Sequence, residues 1–441
     1  MAATGALPVT AESAAEVLRQ MDLGALSARA HVASLLESVQ ALEPQVQAWA
    51  HLDAAAALAR AQACDARRQA GERAPLMGVA VGLKDIIDTA DMPTENGTVL
   101  HAGRRPSRDA ALVTRLKRAG AVIMGKTVTT ELATYAPGKT RNPHRLTHTP
   151  GGSSSGSAAA VACGMVPLAI GSQTNGSTIR PGAFCGVVSF KPTRSSIDRA
   201  GVLVQSPSFD TVGLFARQVS DVALLWRVLS DPAPPAPGHT AHEGAAAADP
   251  AATAPRLVWM PGPLRDRLEP GVEALLRGRA HGWGAAESTA NLPCGMQALV
   301  DLHRLIMEAE IARHFAHEYA TGAAQLSASL RGQIERGRQT SDAELMAARS
   351  ELALMQSAVD AWMQAESIDG WVTASAPGPA PLGLQATGDP IFCTAATALD
   401  LPALQIPGLT APNGLPLGIQ VIGRRGCDAQ LLAIAQRWLQ P

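Results

Sequence analysis

The sequence predicts an α/β protein, a β-sheet covered by helices, and three observations carry that reading. Residues 9–70 are rich in Ala, Leu, Glu, Gln and Arg, with apolar residues at helical spacing. From residue 75 the texture changes to short apolar runs bounded by glycine and proline, alternating with helical patterns such as RDAALVTRLKRAG. Such runs return over 371–422, beyond a second helical block at 295–368. Because sheet-like runs lie on both sides of that block, one interrupted α/β body is favoured over two independent domains, although 441 residues is long for a single core.

Taken in order, residues 9–70 form a helical lead-in broken at Pro44. The runs MGVAVGLKD, AGAVIMGKT, GMVPLAIGSQ and CGVVSFKPT are strands. Within the second, GAVIMGKT at 120–127 satisfies the G-x-x-x-x-G-K-[ST] pattern of a nucleotide-binding loop. That motif requires a strand before the first glycine and a helix opening at the lysine. Here a helical pattern precedes Gly120 and the four intervening residues are apolar, so the segment reads as a core strand ending near Gly125. Residues 231–255, rich in Ala, Pro and Gly, read as a mobile insertion. The helical block 295–368 follows, then strands WVTAS, ALQIPG and LGIQVIG, and a closing helix, DAQLLAIAQRWLQ.

Composition excludes several function classes. A net charge of −1 provides no field for attracting nucleic acid or an acidic membrane surface. No segment approaches the 18 or so apolar residues of a membrane span, and the first residues lack the basic and apolar regions of a secretory leader. Six scattered cysteines without a C-x-x-C pair suggest buried, reduced thiols and a cytoplasmic setting.

The chemistry concentrates in GGSSSGSAAAVACG at 151–164 and SQTNGSTIRPGAFCG at 172–186. Alone, the first reads as a loop or a helix cap. The second places Ser177 directly after a glycine, and a serine nucleophile needs a base within hydrogen-bond reach. The histidines offer little: HRLTH at 144–148 reads as a loop, and HFAHE at 314–318 as either a helix face or a metal pair short of ligands. Lys84, at the end of the apolar run MGVAVGLKDIIDT, is the remaining candidate. It reads either as a salt-bridge partner of Asp85 or Asp88 or as a base. As a base it must be neutral, and lowering a lysine pKa of ~10.4 by ~3 units takes ~4 kcal/mol of preference for the neutral form, which burial supplies.

With Lys84 in VGLKD, Ser153 in PGGSSSGSAAAVA and Ser177 in QTNGS, the chain resembles the amidase signature family of serine amidases. The interval from Ser153 to Ser177 fits that family's spacing. Further matching stretches are TENGT at 94–98, GKTVTTELA at 125–133, FCGVVSFKPT at 184–193 and, near the end, TGDPIFCTAATALDLPALQIPG with GLPLGIQVIG. The resemblance covers most of the chain from about residue 10, least over 231–295. It implies a mixed, twisted central β-sheet with helices on both faces, in one domain over 1–441 whose catalytic core is 75–225. It further implies that Ser177 attacks an amide carbonyl while Ser153, preceded by a cis peptide from Gly152, relays the proton to neutral Lys84. Backbone N–H groups of Thr174, Asn175, Gly176 and Ser177 would hold the oxyanion. No metal and no cofactor is required; the partner is a small-molecule amide, and a homodimer is a family-level expectation.

The chain departs from the family pattern in three places. Many members carry an aspartate four residues before the nucleophile and an arginine two after it, where this chain has Gln173 and Ile179, so any ion pair between those positions is replaced rather than half made. Arg180 stands three residues after Ser177, where it either grips a carboxylate or carbonyl of the substrate or bonds carbonyls of its own loop. Asn175 replaces a more usual glycine, and asparagine tolerates unusual backbone angles. The helices around 300–320 and the loop near 376–390 are expected to line the pocket. The leading reading is a free-standing amidohydrolase; the alternatives are the glutaminase subunit of a tRNA-dependent amidotransferase and a non-catalytic member that keeps the fold.

Overall fold

A computed structural model of the protein describes residues 12–230, 255–288 and 291–438. The insertion expected at 231–255 therefore lies, apart from its last residue, outside the described residues.

The lead-in consists of α1 (Ala14–Asp22), α2 (Ala28–Val46) and α3 (Ala54–Gln69), whose first turns are capped by the side chains of Ser13, Ser27 and Asp53. Pro44 does not break it as expected. It sits inside the last turns of α2, which ends at Gln47 in a left-handed conformation (φ 55°). The residues that follow, Trp49–Leu52, form strand β1.

The remaining strands are β2 (Ala80–Lys84), β3 (Val122–Thr127), β4 (Leu168–Gln173), β5 (Val188–Lys191), β6 (Thr211–Ala216), β7 (Leu257–Trp259), β8 (Ala286–Glu287), β9 (Gly370–Ala374), β10 (Ala403–Thr410) and β11 (Pro416–Gly423). They build one 11-stranded sheet in the order β1-β3-β2-β4-β6-β5-β10-β11-β9-β7-β8. The sheet is mixed. Strand β2 runs parallel to β3 and β4, the stretch from β4 to β9 is antiparallel, and β9, β7 and β8 are again parallel.

Helices α4 (Ala111–Arg118), α5 (Ser155–Ala162), α6 (Ile179–Phe184), α7 (Val219–Leu229) and α8 (Val272–Gly282) alternate with strands in the first part of the chain. The block expected at 295–368 resolves into α9 (Met296–His314), α10 (Ala316–Gly322), α11 (Ala328–Gly337) and α12 (Asp342–Ala365); α13 (Ile391–Ala398) and α14 (Asp428–Trp438) complete the chain. Alternate residues of a strand feed opposite faces of the sheet. Thus Leu257 and Trp259 of β7 join one apolar cluster with α1, α4 and α14, whereas Val258 joins a second with α9, α11 and α12. With helices over both faces, β2, β3 and β4 are buried along their whole length, which is why they read as continuous apolar runs.

The segment 120–127 is the core strand that its context indicated, running on two residues past Gly125. Helix α4 precedes it, and the lysine that mimics a phosphate ligand, Lys126, is buried with Nζ donating to Ile87 O at 2.6 Å and Thr94 Oγ1 at 2.5 Å. All six cysteines are free thiols; Cys294 and Cys427 are half-buried and the others buried. Among the described residues no helix is long and apolar enough to cross a membrane.

Candidate active site

The site forms where adjacent parallel strands β2 and β4 end, the usual place for a ligand in an open α/β sheet. Lys84 is the last residue of β2 and is fully buried. Its Nζ lies 2.6 Å from Ser153 Oγ and 2.7 Å from Ser172 Oγ. Burial drives its pKa well below the ordinary 10.5, against the opposing pull of the Asp210 charge. The salt-bridge alternative is overturned: the Asp85 carboxylate lies 3.5 Å from Lys126 Nζ, and Asp88 pairs with Arg104 at 2.7 Å. Lys84 closes β2, whereas Asp85 is the first residue of the turn that follows, where its carboxylate also accepts from Glu95 N.

The three consecutive serines divide the work of closing this site. The Gly152–Ser153 peptide is cis, and Ser153 points its hydroxyl at Lys84. Ser154 Oγ donates to Ser172 O at 3.1 Å and accepts from Ser172 N at 3.2 Å, pinning α5 to β4. Ser155 Oγ donates to Val128 O at 3.3 Å. Gly171 permits this approach, because a Cβ there would lie 2.4 Å from Ser154 Oγ.

Ser177, half-buried, sits in the loop between β4 and α6, and its carbonyl accepts from Ser154 N at 3.3 Å. That main-chain bond joins the two serine segments. Gln173, 0% exposed, shows how the missing ion pair is replaced. Its Oε1 accepts from Thr178 N at 2.9 Å and Ile179 N at 3.0 Å, while its Nε2 donates to Thr397 Oγ1 at 2.9 Å. A neutral amide thereby does with backbone groups what a charge pair would do with side chains.

The loop is braced from outside as well. Thr174 Oγ1 donates to Asp210 Oδ1 at 2.7 Å, and Thr174 O accepts from His303 Nε2 at 2.9 Å. Burial lowers the His303 pKa to about 4, so the ring is neutral and this bond fixes its proton on Nε2. Asn175 does not exploit its tolerance of unusual backbone angles, being absent from the residues with positive φ. Its side chain is used instead: Thr394 Oγ1 donates to Asn175 Oδ1 at 2.9 Å, and Thr397 Oγ1 to Asn175 O at 2.6 Å. Gly176 packs under α13, where a Cβ would meet Pro390 Cβ at 2.9 Å.

Arg180 is 1% exposed. Its Nη2 donates to Gly152 O at 2.8 Å and Thr387 Oγ1 at 3.0 Å, whereas Nε and Nη1 have no partner, and no carboxylate among the described residues pairs with it. It therefore ties the first serine segment to the loop 376–390 rather than bonding carbonyls of its own loop, and keeps donors unused among the described residues. A cavity of about 250 Å³ opens beside Asn175, walled by α9 (Val300, His303, Met307), by Asp389 and Pro390 at the end of the loop 376–390, and by α11. Sequence reasoning misses Ser172, His303, Asp210 and the α11 wall. Ser172 is legible in principle, standing beside a glycine in the second serine segment; the others lie far from it in sequence. The pair His314 and His317 is split between the end of α9 and α10, and no metal-binding group of three or more His, Cys, Asp or Glu occurs among the described residues.

Comparison with known proteins identifies relatives in both sequence and fold. The amidase family profile matches residues 30–258. A glutamyl-tRNA(Gln) amidotransferase subunit from Roseiflexus castenholzii is 32% identical over 98% of this chain and 96% of its own. Among solved structures, one of a vestigial protein complex bearing on the origins of an s-triazine catabolic enzyme superposes with a TM-score of 0.87 at 26% identity, covering 97% of this chain and 98% of that one. The peptide amidase of Stenotrophomonas maltophilia does so with a TM-score of 0.81 at 28% identity, covering 98% and 97%. The chain belongs to the amidase signature family.

Proposed function

We propose that the protein hydrolyses the C–N bond of a small amide through an acyl-enzyme on Ser177. The observation that carries this is the buried Lys84–Ser153 contact at 2.6 Å beside the Ser177 loop. A lysine paired with no carboxylate among the described residues, whose pKa burial drives well below its ordinary value, is suited to act as the base. Ser153 passes the Ser177 proton to Lys84 Nζ as Ser177 Oγ attacks the carbonyl carbon. The oxyanion that forms takes backbone N–H groups from Thr174 to Ser177, each such donor contributing roughly 10²- to 10³-fold in rate. The proton returns through Ser153 to the departing nitrogen, ammonia or an amine leaves, and water releases the acid by the same route reversed. Arg180, with donors to spare near the nucleophile, takes a carboxylate or carbonyl of the substrate. These steps require no metal or cofactor, and the setting proposed is cytoplasmic.

A second reading has a specific observation behind it. Relatives aligned over nearly the whole chain carry the names of amidotransferase components, which favour a glutaminase that supplies ammonia within a complex over a free-standing enzyme. The deciding experiment measures ammonia release from glutamine and from simple aliphatic amides by the purified chain, with Ser177→Ala as blank. Turnover of simple amides by the chain alone supports the free-standing enzyme. Glutamine turnover that appears only with a co-purifying partner protein supports the second reading, and no Ser177-dependent release in either form refutes both.

A further inference from the structure

The α11 wall of the cavity carries an unanswered polar group. Gln333, on α11, is 2% exposed and lines the cavity, yet neither its Nε2 nor its Oε1 has a hydrogen-bond partner among the described residues. A carboxamide offers two N–H donors and an acceptor oxygen, and burying both ends unpaired costs stability that no hydrogen bond among the described residues offsets. Native structures leave few such groups, and those they leave call for an explanation.

The neighbours on the same wall are already engaged. His303 donates to Thr174 O, Asn175 bonds Thr394, Glu308 pairs with Arg336 and Asp389 with Arg267. Gln333 alone among these presents a complete, unused donor–acceptor pair. The same lining includes Asn175 of the nucleophile loop and the apolar side chains of Val300, Met307 and Ile391. At about 250 Å³ the space suits a short ligand, near the lower limit of small-molecule pockets, ~300 Å³.

The geometry points to Gln333 as the residue that recognises a carboxamide or urea-like group at the end of the substrate remote from the bond that is cut. Such a group pairs with Gln333 head to tail, donor to Oε1 and acceptor to Nε2. A carboxylate satisfies only Nε2, and an alkyl end satisfies neither. The substrate class is therefore a short aliphatic chain with a scissile amide at one end and a second amide-like group at the other. This deepens the amide-hydrolase reading and rests on it.

The test is protection of Ser177 from a fluorophosphonate. Succinamide, glutaramide and adipamide are compared with their isosteres 4-methylpentanamide, 5-methylhexanamide and 6-methylheptanamide, in the unaltered chain and in Gln333→Leu. The expected result is that at least one diamide protects about 10-fold or more better than its isostere, following the loss expected when a buried polar group is left unpaired. In Gln333→Leu the preference disappears, protection being read against that variant's own rate of labelling without ligand, and Tm is unchanged or raised. Equal protection by both series, protection by neither, or a preference that survives in Gln333→Leu overturns the assignment. If Gln333→Leu fails to fold, Gln333→Glu, which keeps the acceptor and loses the donor, must still shift the preference; an unshifted preference overturns it too. Absence of any labelling at Ser177 in the unaltered chain is a different failure, that of the amide-hydrolase reading itself.

Discussion

Gln173→Met tests whether the neutral amide holds the nucleophile loop. Methionine nearly matches glutamine in shape and suits a buried site, but it offers no comparable acceptor or donor. The substitution strands two buried main-chain groups, Thr178 N and Ile179 N, which now reach Oε1 at 2.9 and 3.0 Å. Each orphaned buried donor costs about 1–3 kcal/mol, so the variant should lose about 2–6 kcal/mol. The Nε2 bond to Thr397 goes as well, and Thr397 is the residue that holds Asn175 O at 2.6 Å. A nucleophile displaced by ~1 Å loses roughly 10²-fold in rate. Urea unfolding gives the first quantity and the rate of fluorophosphonate labelling at Ser177 the second. Gln173→Glu keeps the acceptor and should recover most of the loss. A Met variant within about 0.5 kcal/mol of the parent, the range of a neutral surface change, and labelled at the parent rate would refute the reasoning.

Other expectations follow from the same contacts. In the proposed relay neutral Lys84 is the active form; because burial lowers its pKa, kcat/KM should rise with pH through the lowered value and level off below 10.5, an acid limb that Lys84→Ala removes. The linked stability has the same sign: the folded pKa is below the unfolded one, so the cost of burying Lys84 is full below the folded pKa and fades as pH rises toward 10.5. Gly156→Ala should abolish soluble expression or lower Tm sharply, because its Cβ would lie 2.2 Å from Ala48 O and 2.3 Å from Val128 N, backbone atoms that cannot turn aside. His303→Leu leaves Thr174 O without its donor and should slow labelling at Ser177, while thermal unfolding shows most of the stability retained.

Local signals and long-range ones differ in how far the sequence reveals them. Strands β2, β3 and β4 are legible because burial on both faces makes each a continuous apolar run between glycines. Strand β1 is not, since it is four residues of an edge strand with mixed exposure, and β8 is a two-residue exposed strand with no pattern to read. Pro44 misleads because a proline is tolerated in α2 where a single lost hydrogen bond matters less than the capped, packed turns before it. At the site, Ser177 and Lys84 are legible as candidates and Ser153 takes its role only from the family resemblance, while the competing partners Asp85 and Asp88 are dismissed only once Lys126 and Arg104 are placed beside them. His303 and Asp210 reach the loop from other parts of the chain, and no local pattern marks contacts made across 129 and 36 residues. Arg180 bonds Gly152 O and Thr387 Oγ1 rather than carbonyls of its own loop, and two of its nitrogens have no partner among the described residues.

The relay itself is the central claim, and covalent labelling tests it most directly. The folded chain is treated with a fluorophosphonate and the adduct mapped by peptide mass, with Lys84→Ala and Ser153→Ala alongside. The account predicts an adduct on Ser177, formed at least about 10²-fold more slowly in each variant, the contribution typical of a lost proton-transfer group. An adduct on another residue, or a Ser177 adduct that forms at the parent rate without Lys84 or Ser153, would contradict it.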